Sequence, residues 1–483
     1  MPATLSNLFQ RWAGEPAVEC LALSGGGGQR RYYRLRGATH TCIGTVADDL
    51  RENEAFFSFT RHLHSKGMPV PELYAVADDR RHYLQQDLGD RTLYLELLDR
   101  RRAGGGFDGT MLDLYRKALA DLDAIQKAGR DMDFTVAYPR SAFDRQSMLW
   151  DLSYFKYYFL KLSHIPFDEQ RLEDDFNALA DFLLEADCGY FMYRDFQGRN
   201  IMVSSEFRVR SSEMSPKNSD LRPPTSDLYY IDYQGGRRGA AQYDVASLLY
   251  SAKSDLPEAI RLELLQHYAS LHGDPRFMEH FWGYVLIRIM QTLGAYGYRG
   301  LFERKPYFIE SIPLAVNNLR NVVESHPLPV ALPELEAVWS RIAELASAQT
   351  AAPADRLTVQ VQSFSYKRGL PDDPSGNGGG FVFDCRALPN PGRYEQYRAY
   401  TGKDRPVVEF LEKEPAVAQF LTNAKELVGQ SIEKYMERRF THLSVAFGCT
   451  GGQHRSVYCA EQLARWIGEN WPHVVVDLSH RER

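Results

Sequence analysis

Two short stretches of this sequence carry the residue types that phosphoryl transfer needs. Tyr190 to Met202 reads YFMYRDFQGRNIM and places Asp195 and Asn200 five positions apart between two apolar runs. Tyr229 to Gly236 reads YYIDYQGG and sets Asp232 at the end of an apolar run, before two glycines. Moving a phosphoryl group asks little covalent chemistry of a protein. It needs a group that orients and deprotonates the attacking hydroxyl, and oxygen ligands that hold a divalent cation against the phosphates. Asp195 is expected to take the hydroxyl proton, and Asn200 and Asp232 to hold Mg²⁺, a hard cation that prefers oxygen. An Asp-to-Asn spacing of this kind also arises in turns and caps. The second Asp, after a strand and in this order, is what favours the chemical reading.

A second constellation lies near the C-terminus. The apolar run Leu443 to Phe447 enters GCTGGQHRS (Gly448 to Ser456) and then a helical pattern with Cys459, Leu463, Trp466 and Ile467 on one face. Strand, glycine-rich loop and helix make an anion site, because backbone N–H groups and the positive helix end face the ligand. The expected contacts are Cys449, Thr450, Gly451, Gly452, Gln453, His454, Arg455 and Ser456. Lys367, Arg386, His480 and Arg481 stand just beyond three other expected strands and are expected to converge on the same anion, since ligands of open α/β sheets bind beyond the carboxyl ends of the strands. Cys449 and Arg455 also form the C-x5-R spacing of cysteine phosphatases, although the sequence places no Asp as general acid. RNA binding is a further rival; the near-neutral balance of this segment offers it little electrostatic drive. A glycine-rich turn that binds nothing is the plain alternative.

The elements that must position these groups fall into two patterns. Residues 17 to 46 and 69 to 88 read as strands and turns, with a helix between them on Phe56, Phe59 and Leu63 that Gly67 can end. Residues 111 to 186 and 243 to 346 read as mainly helical. Strands first and helices after, with the chemistry on loops at the junction, predict a two-lobed α+β unit over 1–346, its small lobe about 1–90 and its helical lobe about 91–346. Ser347 to Asp355 (SAQTAAPAD) is the expected linker. Residues 356–483 alternate strand and helix, predicting an α/β domain with a parallel or mixed sheet. Ser204 to Asp227 reads as a long hairpin loop, and Pro371 to Gly380 as a loop within the last domain.

The YRDFQGRN loop resembles the catalytic loop of protein-kinase-like phosphotransferases, with Tyr193 where His is commoner, and IDYQGG resembles their metal-binding strand end. AQYDVASLLY (Ala241 to Tyr250) is similar to the following helix of the aminoglycoside-phosphotransferase and choline-kinase branch. Together with RRYYR (Arg30 to Arg34), QQDLGD (Gln85 to Asp90) and RIMQTLGAYGYRG (Arg288 to Gly300), these stretches resemble bacterial kinases that phosphorylate N-acetylmuramate and N-acetylglucosamine at the anomeric hydroxyl. The resemblance implies ATP and Mg²⁺ as cofactors, a cell-wall amino sugar as acceptor, and Asp87 and Gly89 near the adenine. It departs at one point: the expected third strand, Thr39 to Val46, has no Lys to pair with the phosphates, so Arg30, Arg31 or Arg34 must bring that charge. Asp244 is expected to serve as a buried hub for the catalytic loop. Glu52 and Glu54 are expected on a solvated helix face. SFSYKRGLP, FVFDCRALPNPG, TGKD, GCTGGQHRSVYCAEQL and the terminal SHRE strongly resemble the C-terminal domain of RapZ, which implies a phosphosugar ligand for that domain and raises the question of a small RNA.

The rest of the composition sets limits. The chain has 483 residues, 44% hydrophobic and 25% charged, with a net charge of −6, which argues against a surface coated for nucleic acid. No apolar run is long enough to span a membrane, and the N-terminus lacks the pattern of a secretory signal. Six scattered cysteines without a C-x-x-C pair read as reduced thiols. A cytoplasmic kinase fused to a phosphosugar-sensing domain is expected. The alternative is a non-catalytic regulatory protein that binds nucleotide and a phosphosugar or RNA.

Overall fold

The computed structural model describes residues 2–23, 30–204, 227–350, 356–371, 380–438 and 440–482, except for the side chains of 345–350. The glycines Gly25 to Gly28, the interior of the Ser204–Asp227 loop, residues 351–355 and the interior of the Pro371–Gly380 loop lie outside the described residues. The chain divides into two compact units, Met1–Tyr298 with Glu310–Ala343, and Arg299–Ile309 with Glu344–Arg483.

The first unit opens with α1 (Ala3–Ala13) and strands β1 (Glu19–Leu23), β2 (Arg31–Arg36) and β3 (Thr41–Val46). Then come α2 (Leu50–Ser65), β4 (Leu73–Val76) and β5 (His82–Gln85). The five strands form one antiparallel sheet in the order β1-β2-β3-β5-β4. Leu5, Leu8 and Phe9 of α1 pack with Leu35, Cys42, Val46 and Leu84. Asp49 caps α2 by accepting from the amides of Arg51 and Glu52, and Gly67, at φ +72°, takes the left-handed conformation just past its end. The helix buries Phe56, Phe57, Phe59 and Leu63, each worth about 1.5–3 kcal/mol of apolar burial. Its buried Asn53 bonds the carbonyls of Ala47 and Arg80, both at 2.9 Å, and so fixes α2 to the ends of β3 and β5.

The larger lobe is helical, as expected, and its first helix precedes the helical stretch read from residue 111. It holds α3 (Leu93–Arg102), α4 (Gly109–Ala128), α5 (Arg145–Phe155) and α6 (Glu169–Leu183). After the site strands follow α7 (Gln242–Leu249), α8 (Glu258–His272), α9 (Phe277–Tyr296), α10 (Ile312–Ser325) and α11 (Pro333–Thr350). α11 runs through the first four residues of the expected linker. Four three-residue strands flank Asp195, Asn200 and Asp232: β6 (Tyr190–Met192) pairs with β9 (Arg237–Gly239), and β7 (Ile201–Val203) with β8 (Leu228–Tyr230). Gly294 and Gly297 let the end of α9 meet the end of α5 backbone to backbone. A Cβ at Gly294 would lie 2.9 Å from the Phe155 nitrogen, and one at Gly297 would collide with the Tyr158 carbonyl oxygen.

The second unit holds β10 (Thr358–Ser365), β11 (Gly380–Asp384), α12 (Arg405–Glu412), α13 (Pro415–Glu437), β12 (His442–Cys449), α14 (Arg455–Asn470) and β13 (Val475–His480). Its sheet runs β11-β12-β10-β13 with every pair parallel, which decides between the parallel and mixed alternatives. A parallel sheet must be covered on its faces, and the helices do this through Val407, Leu411, Val417, Leu421, Val428, Leu463 and Ile467. Its parallel direction puts Ser365, Asp384, Cys449 and His480 at one edge of the sheet.

Candidate active site and anion cradle

Asp195 sits in the loop between β6 and β7, and Asp232 follows β8. Backbone bonds lace these segments together: Ile231 N donates to Asn200 O at 3.0 Å, and the Tyr193 hydroxyl donates to Ile231 O. The Asn200 amide reaches Asp232 Oδ2 at 3.2 Å and the Asp195 carbonyl at 2.9 Å. The expected trio is therefore gathered at one place. Arg194 and Asp232 both hold positive φ, +79° and +71°, a conformation costing about 1–3 kcal/mol for a non-glycine residue unless its surroundings enforce it. For Arg194 they do. Asp151 grips its guanidinium at 2.7 and 2.8 Å, and Asp244 accepts from its amide at 2.9 Å.

Asp244 is the hub of this loop. It also accepts from Tyr193 N at 2.7 Å and from the Gln126 amide at 3.1 Å. Burial pushes its carboxyl up to about 7, against the pull of these donors. Asp232 is likewise raised, first by burial and then by the charge of Asp195, with Gln234, Arg30 and Arg199 pulling the other way.

These features fit a hard cation. Asp232 is a solvent-accessible carboxylate beside a second acid, Asn200 Oδ1 has no donor among the described residues, and Gln234, which donates to Asp232 at 2.8 Å, has its own oxygen buried without a partner among the described residues. No group of three or more His, Cys, Asp or Glu that could hold a metal occurs among the described residues. A metal here would therefore draw on amide oxygens and on the phosphates of a nucleotide, in the manner of Mg²⁺.

The arginines divide sharply. Arg30, beside β2, reaches Glu52 of α2 at 3.2 Å, and its charge is favoured by Tyr83, Tyr32, Glu52 and Asp232 against burial. Its charge acts on Asp232, pulling that carboxyl down against burial; near the end of β3 Thr45 is buried. Glu52 is thus a pairing acid, and the solvated-face reading of it is corrected. Arg31 points out, 61% exposed and 4.0 Å from Asp48, which removes it from the expected nucleotide contacts. Arg34 is locked by Asp87 at 2.7 Å and Asp90 at 2.8 Å, so it brings no free charge to a phosphate. Asp87 is occupied by Arg34 and by the amide of Gly89, which turns at φ +78°.

Around Asp195 stand two buried cations, Arg288 and Arg237, of which the sequence reading passed over Arg237. Arg288 of α9 lies 3.6 Å from Asp195 and beside Tyr243. Arg237 of β9 is buried, donates only to the Gly235 carbonyl, at 3.1 and 3.0 Å, and has no carboxylate partner among the described residues. Burial and the nearby Arg194 push Arg237 down to about 10. The signal for Arg237 was QGGRRG, a charged pair directly after the Asp232 motif.

In the second unit the loop after Cys449 is a cradle whose rim, Thr450 and Gly451, is exposed. Gly452 turns at φ +65° against Ser365 and Glu482. Cys449 Sγ lies 3.1 Å from Ser456 Oγ. The expected convergence of basic groups on the loop is corrected, because most of them have fixed partners of their own. Arg386 pairs with Asp384 at 2.7 Å. Arg481 donates to the carbonyls of Gly369 and Leu370. His480 bridges Ser363 and Glu461 at 2.8 and 3.0 Å. Lys367 points to solvent. The side chains of Gln453 and His454 bond the carbonyls of Arg398, Tyr400 and Tyr397. Arg455 remains, nearly fully buried at the first turn of α14.

Comparison with known proteins adds the following. Residues 357–483 match the family model described as the RapZ C-terminal domain. Curated relatives include a nucleotide-binding protein of Cereibacter sphaeroides, 45% identical over 141 residues (29% of this chain, 44% of that protein), and one of Delftia acidovorans, 42% identical over 122 residues (25% and 39%). The chain thus spans less than half the length of these relatives. Solved structures similar to it include the ethanolamine kinase of Plasmodium vivax, with TM-score 0.44, 10% identity and coverage of 63% of this chain and 82% of that one. A choline kinase from Cryptosporidium parvum gives 0.43, 9%, 66% and 92%. No helix among the described residues is long and apolar enough to cross a membrane. Residues 357–483 thus carry the match to the RapZ C-terminal domain, and they follow a unit that has an antiparallel five-stranded sheet, a helical lobe and the gathered Asp195, Asn200 and Asp232.

Proposed function

We infer that the first unit, taken as residues 1–346, transfers the γ-phosphoryl group of ATP to a hydroxyl of a small acceptor, with an amino sugar of the N-acetylmuramate or N-acetylglucosamine type as the favoured substrate. The observation that carries this reading is the gathering of Asp195, Asn200 and Asp232, with the Asn200 amide 3.2 Å from Asp232. Asp195, half exposed, accepts the acceptor's hydroxyl proton as the oxygen attacks. Asp232 and Asn200 hold Mg²⁺, which when bound neutralises the phosphate oxygens. Arg30, steadied by Glu52, faces the same phosphates. Arg288 and Arg237 give the acceptor side a positive lining that suits an acceptor bearing an acidic substituent. The RapZ-like domain, residues 356–483, is read as the phosphosugar-binding module, with the Cys449–Ser456 loop as its cradle.

The test is ADP release with Mg²⁺ and a panel of amino sugars. Sugar-dependent release that vanishes in Asp195→Ala, with the fold retained by circular dichroism, supports the reading. Undiminished release in that variant refutes the base. No release with any sugar, together with a salt-dependent shift of a small RNA on a gel, favours a non-catalytic regulatory protein instead.

A further inference from the structure

We propose that Cys449 is a phosphoryl-accepting nucleophile and that the C-terminal domain hydrolyses small phosphomonoesters with a weakly basic leaving oxygen, such as an aryl or anomeric sugar phosphate. The proposal does not depend on the kinase reading. It begins with the spacing Cys449-Thr-Gly-Gly-Gln-His-Arg455-Ser456, which the fold turns into geometry. β12 delivers Cys449 to the carboxyl edge of the parallel sheet, and α14, sixteen residues long, begins at Arg455. The sulfur lies at the floor of the loop, 3.1 Å from Ser456 Oγ. Burial alone would raise the thiol. The Ser456 hydroxyl and the amides of Ser456, Gly451 and Gly452 outweigh it and hold Cys449 below the usual thiol value. Those are the groups that would also surround a bound phosphate.

Arg455 is the independent observation. Its Nη1 donates to the carbonyls of Arg386 at 2.8 Å and Leu388 at 3.0 Å. These residues follow β11, the neighbour of β12, so the guanidinium lies across the sheet edge at which Cys449 sits. Its Nε is buried without a partner, and no acceptor serves Nη2 among the described residues. A buried Nε–H with nothing to bond costs stability, and the Nε and Nη2 N–H groups together match two oxygens of a phosphate. The rim above, Thr450 and Gly451, is open to solvent.

The chemistry balances without metal or redox partner. The Cys449 thiolate attacks phosphorus, the ester P–O bond breaks, and its electron pair leaves on the alcohol oxygen, which takes a proton from water. A second water then attacks the phosphocysteine, the S–P bond breaks, and inorganic phosphate departs as the thiolate re-forms. The nearby carboxylates are engaged elsewhere. Glu482, packed against Gly452, pairs with Arg368 at 2.9 Å, and Asp384 pairs with Arg386 at 2.7 Å. With no free acid at the loop among the described residues, the leaving oxygen departs unassisted, which is why the proposal commits to weakly basic leaving groups.

The experiment uses the full chain in EDTA with p-nitrophenyl phosphate. Nitrophenol release should occur in the wild type, fall to background in Cys449→Ser and fall partially in Ser456→Ala. Iodoacetamide should alkylate Cys449 with a midpoint below the usual thiol range near 8.5, and inorganic phosphate should protect it. Should Cys449→Ser fail to fold, acid quench of the wild type during turnover and mass analysis of the Cys449 peptide decides the matter, a phosphate adduct being the expected result. Release that persists in folded Cys449→Ser, wild type without release, or turnover without an adduct on Cys449 overturns the proposal. Phosphate protection without turnover also overturns it, leaving a binding cradle only.

Discussion

Replacing Asp244 tests how the catalytic loop is held. The carboxylate accepts three buried donors, the amides of Tyr193 and Arg194 and the side chain of Gln126, at 2.7, 2.9 and 3.1 Å. Asp244→Ala orphans the two backbone amides and leaves Gln126 with the Ala241 carbonyl alone. At about 1–3 kcal/mol per unsatisfied buried group, the first unit should lose about 2–6 kcal/mol, a large part of the roughly 5–15 kcal/mol that typically holds a domain together. Asp244→Asn separates charge from hydrogen bonding, since it keeps an acceptor oxygen and removes the titration. The folded carboxyl sits near 7, above its ordinary value of 3.8, because it is buried. The folded state therefore binds the proton more tightly than the unfolded chain does. The stability this group contributes is fully present at low pH and is lost as pH rises through about 7. Between pH 5 and pH 8 that linkage amounts to about 2–3 kcal/mol of lost stability in the wild type, and to none from this position in Asp244→Asn. Urea unfolding of the full chain at both pH values, followed by tryptophan fluorescence, measures it. A wild-type pH dependence retained unchanged in Asp244→Asn would refute the assignment. So would an Asp244→Ala variant within 1 kcal/mol of the wild type at pH 5.

Other outcomes follow from the same geometry. Asp195→Asn should lower kcat for sugar-dependent ADP release by about 10²–10⁴, the range for a lost general base, with little change in melting temperature. Arg30→Ala should raise KM for ATP and cut kcat/KM by about 10–100-fold, the equivalent of one charge-assisted hydrogen bond of about 1.5–3 kcal/mol; Glu52→Gln should reproduce part of that loss, because it releases Arg30 from its partner. Arg237→Met should leave KM for ATP unaltered and weaken an acidic amino sugar more than a neutral one, measured as the ratio of their kcat/KM values. Gly297→Ala should destabilise the first unit by about 1–3 kcal/mol or more in a thermal melt, since the backbone must move to admit the methyl group.

The two-lobed architecture could be read from the order of strand-like and helix-like segments, because that order reflects burial patterns local in sequence. α1 and α3 escaped the reading. In α1 the helical spacing of Leu5, Leu8, Phe9 and Trp12 was there to be read, but the helix is short and draws its stability from packing Leu5, Leu8 and Phe9 against a sheet whose strands come later in the chain. The Asp195, Asn200 and Asp232 set was legible because its spacing and flanking strands are local. Charge placement was not. Arg30, Arg31 and Arg34 look alike in sequence, and only the sheet decides which faces Glu52, which faces water and which is trapped by Asp87 and Asp90. The same holds at the other end of the chain. There the basic residues beyond each strand were expected to meet, and local carbonyls and carboxylates claim nearly all of them first.

The joint at Gly294 and Gly297 has a consequence for how this part of the helical lobe can change. Main chain lies against main chain there, with the ring edge of Tyr154 beside Gly294. The separation of the two segments is accordingly set by peptide geometry, and trading one residue for a bulkier or slimmer one cannot widen or narrow it by degrees. Tyr158 and Tyr298, whose rings meet beside this joint at 4.9 Å, are not held in that way. A lineage altering this region would register the change in those two rings, while the glycines stay as they are.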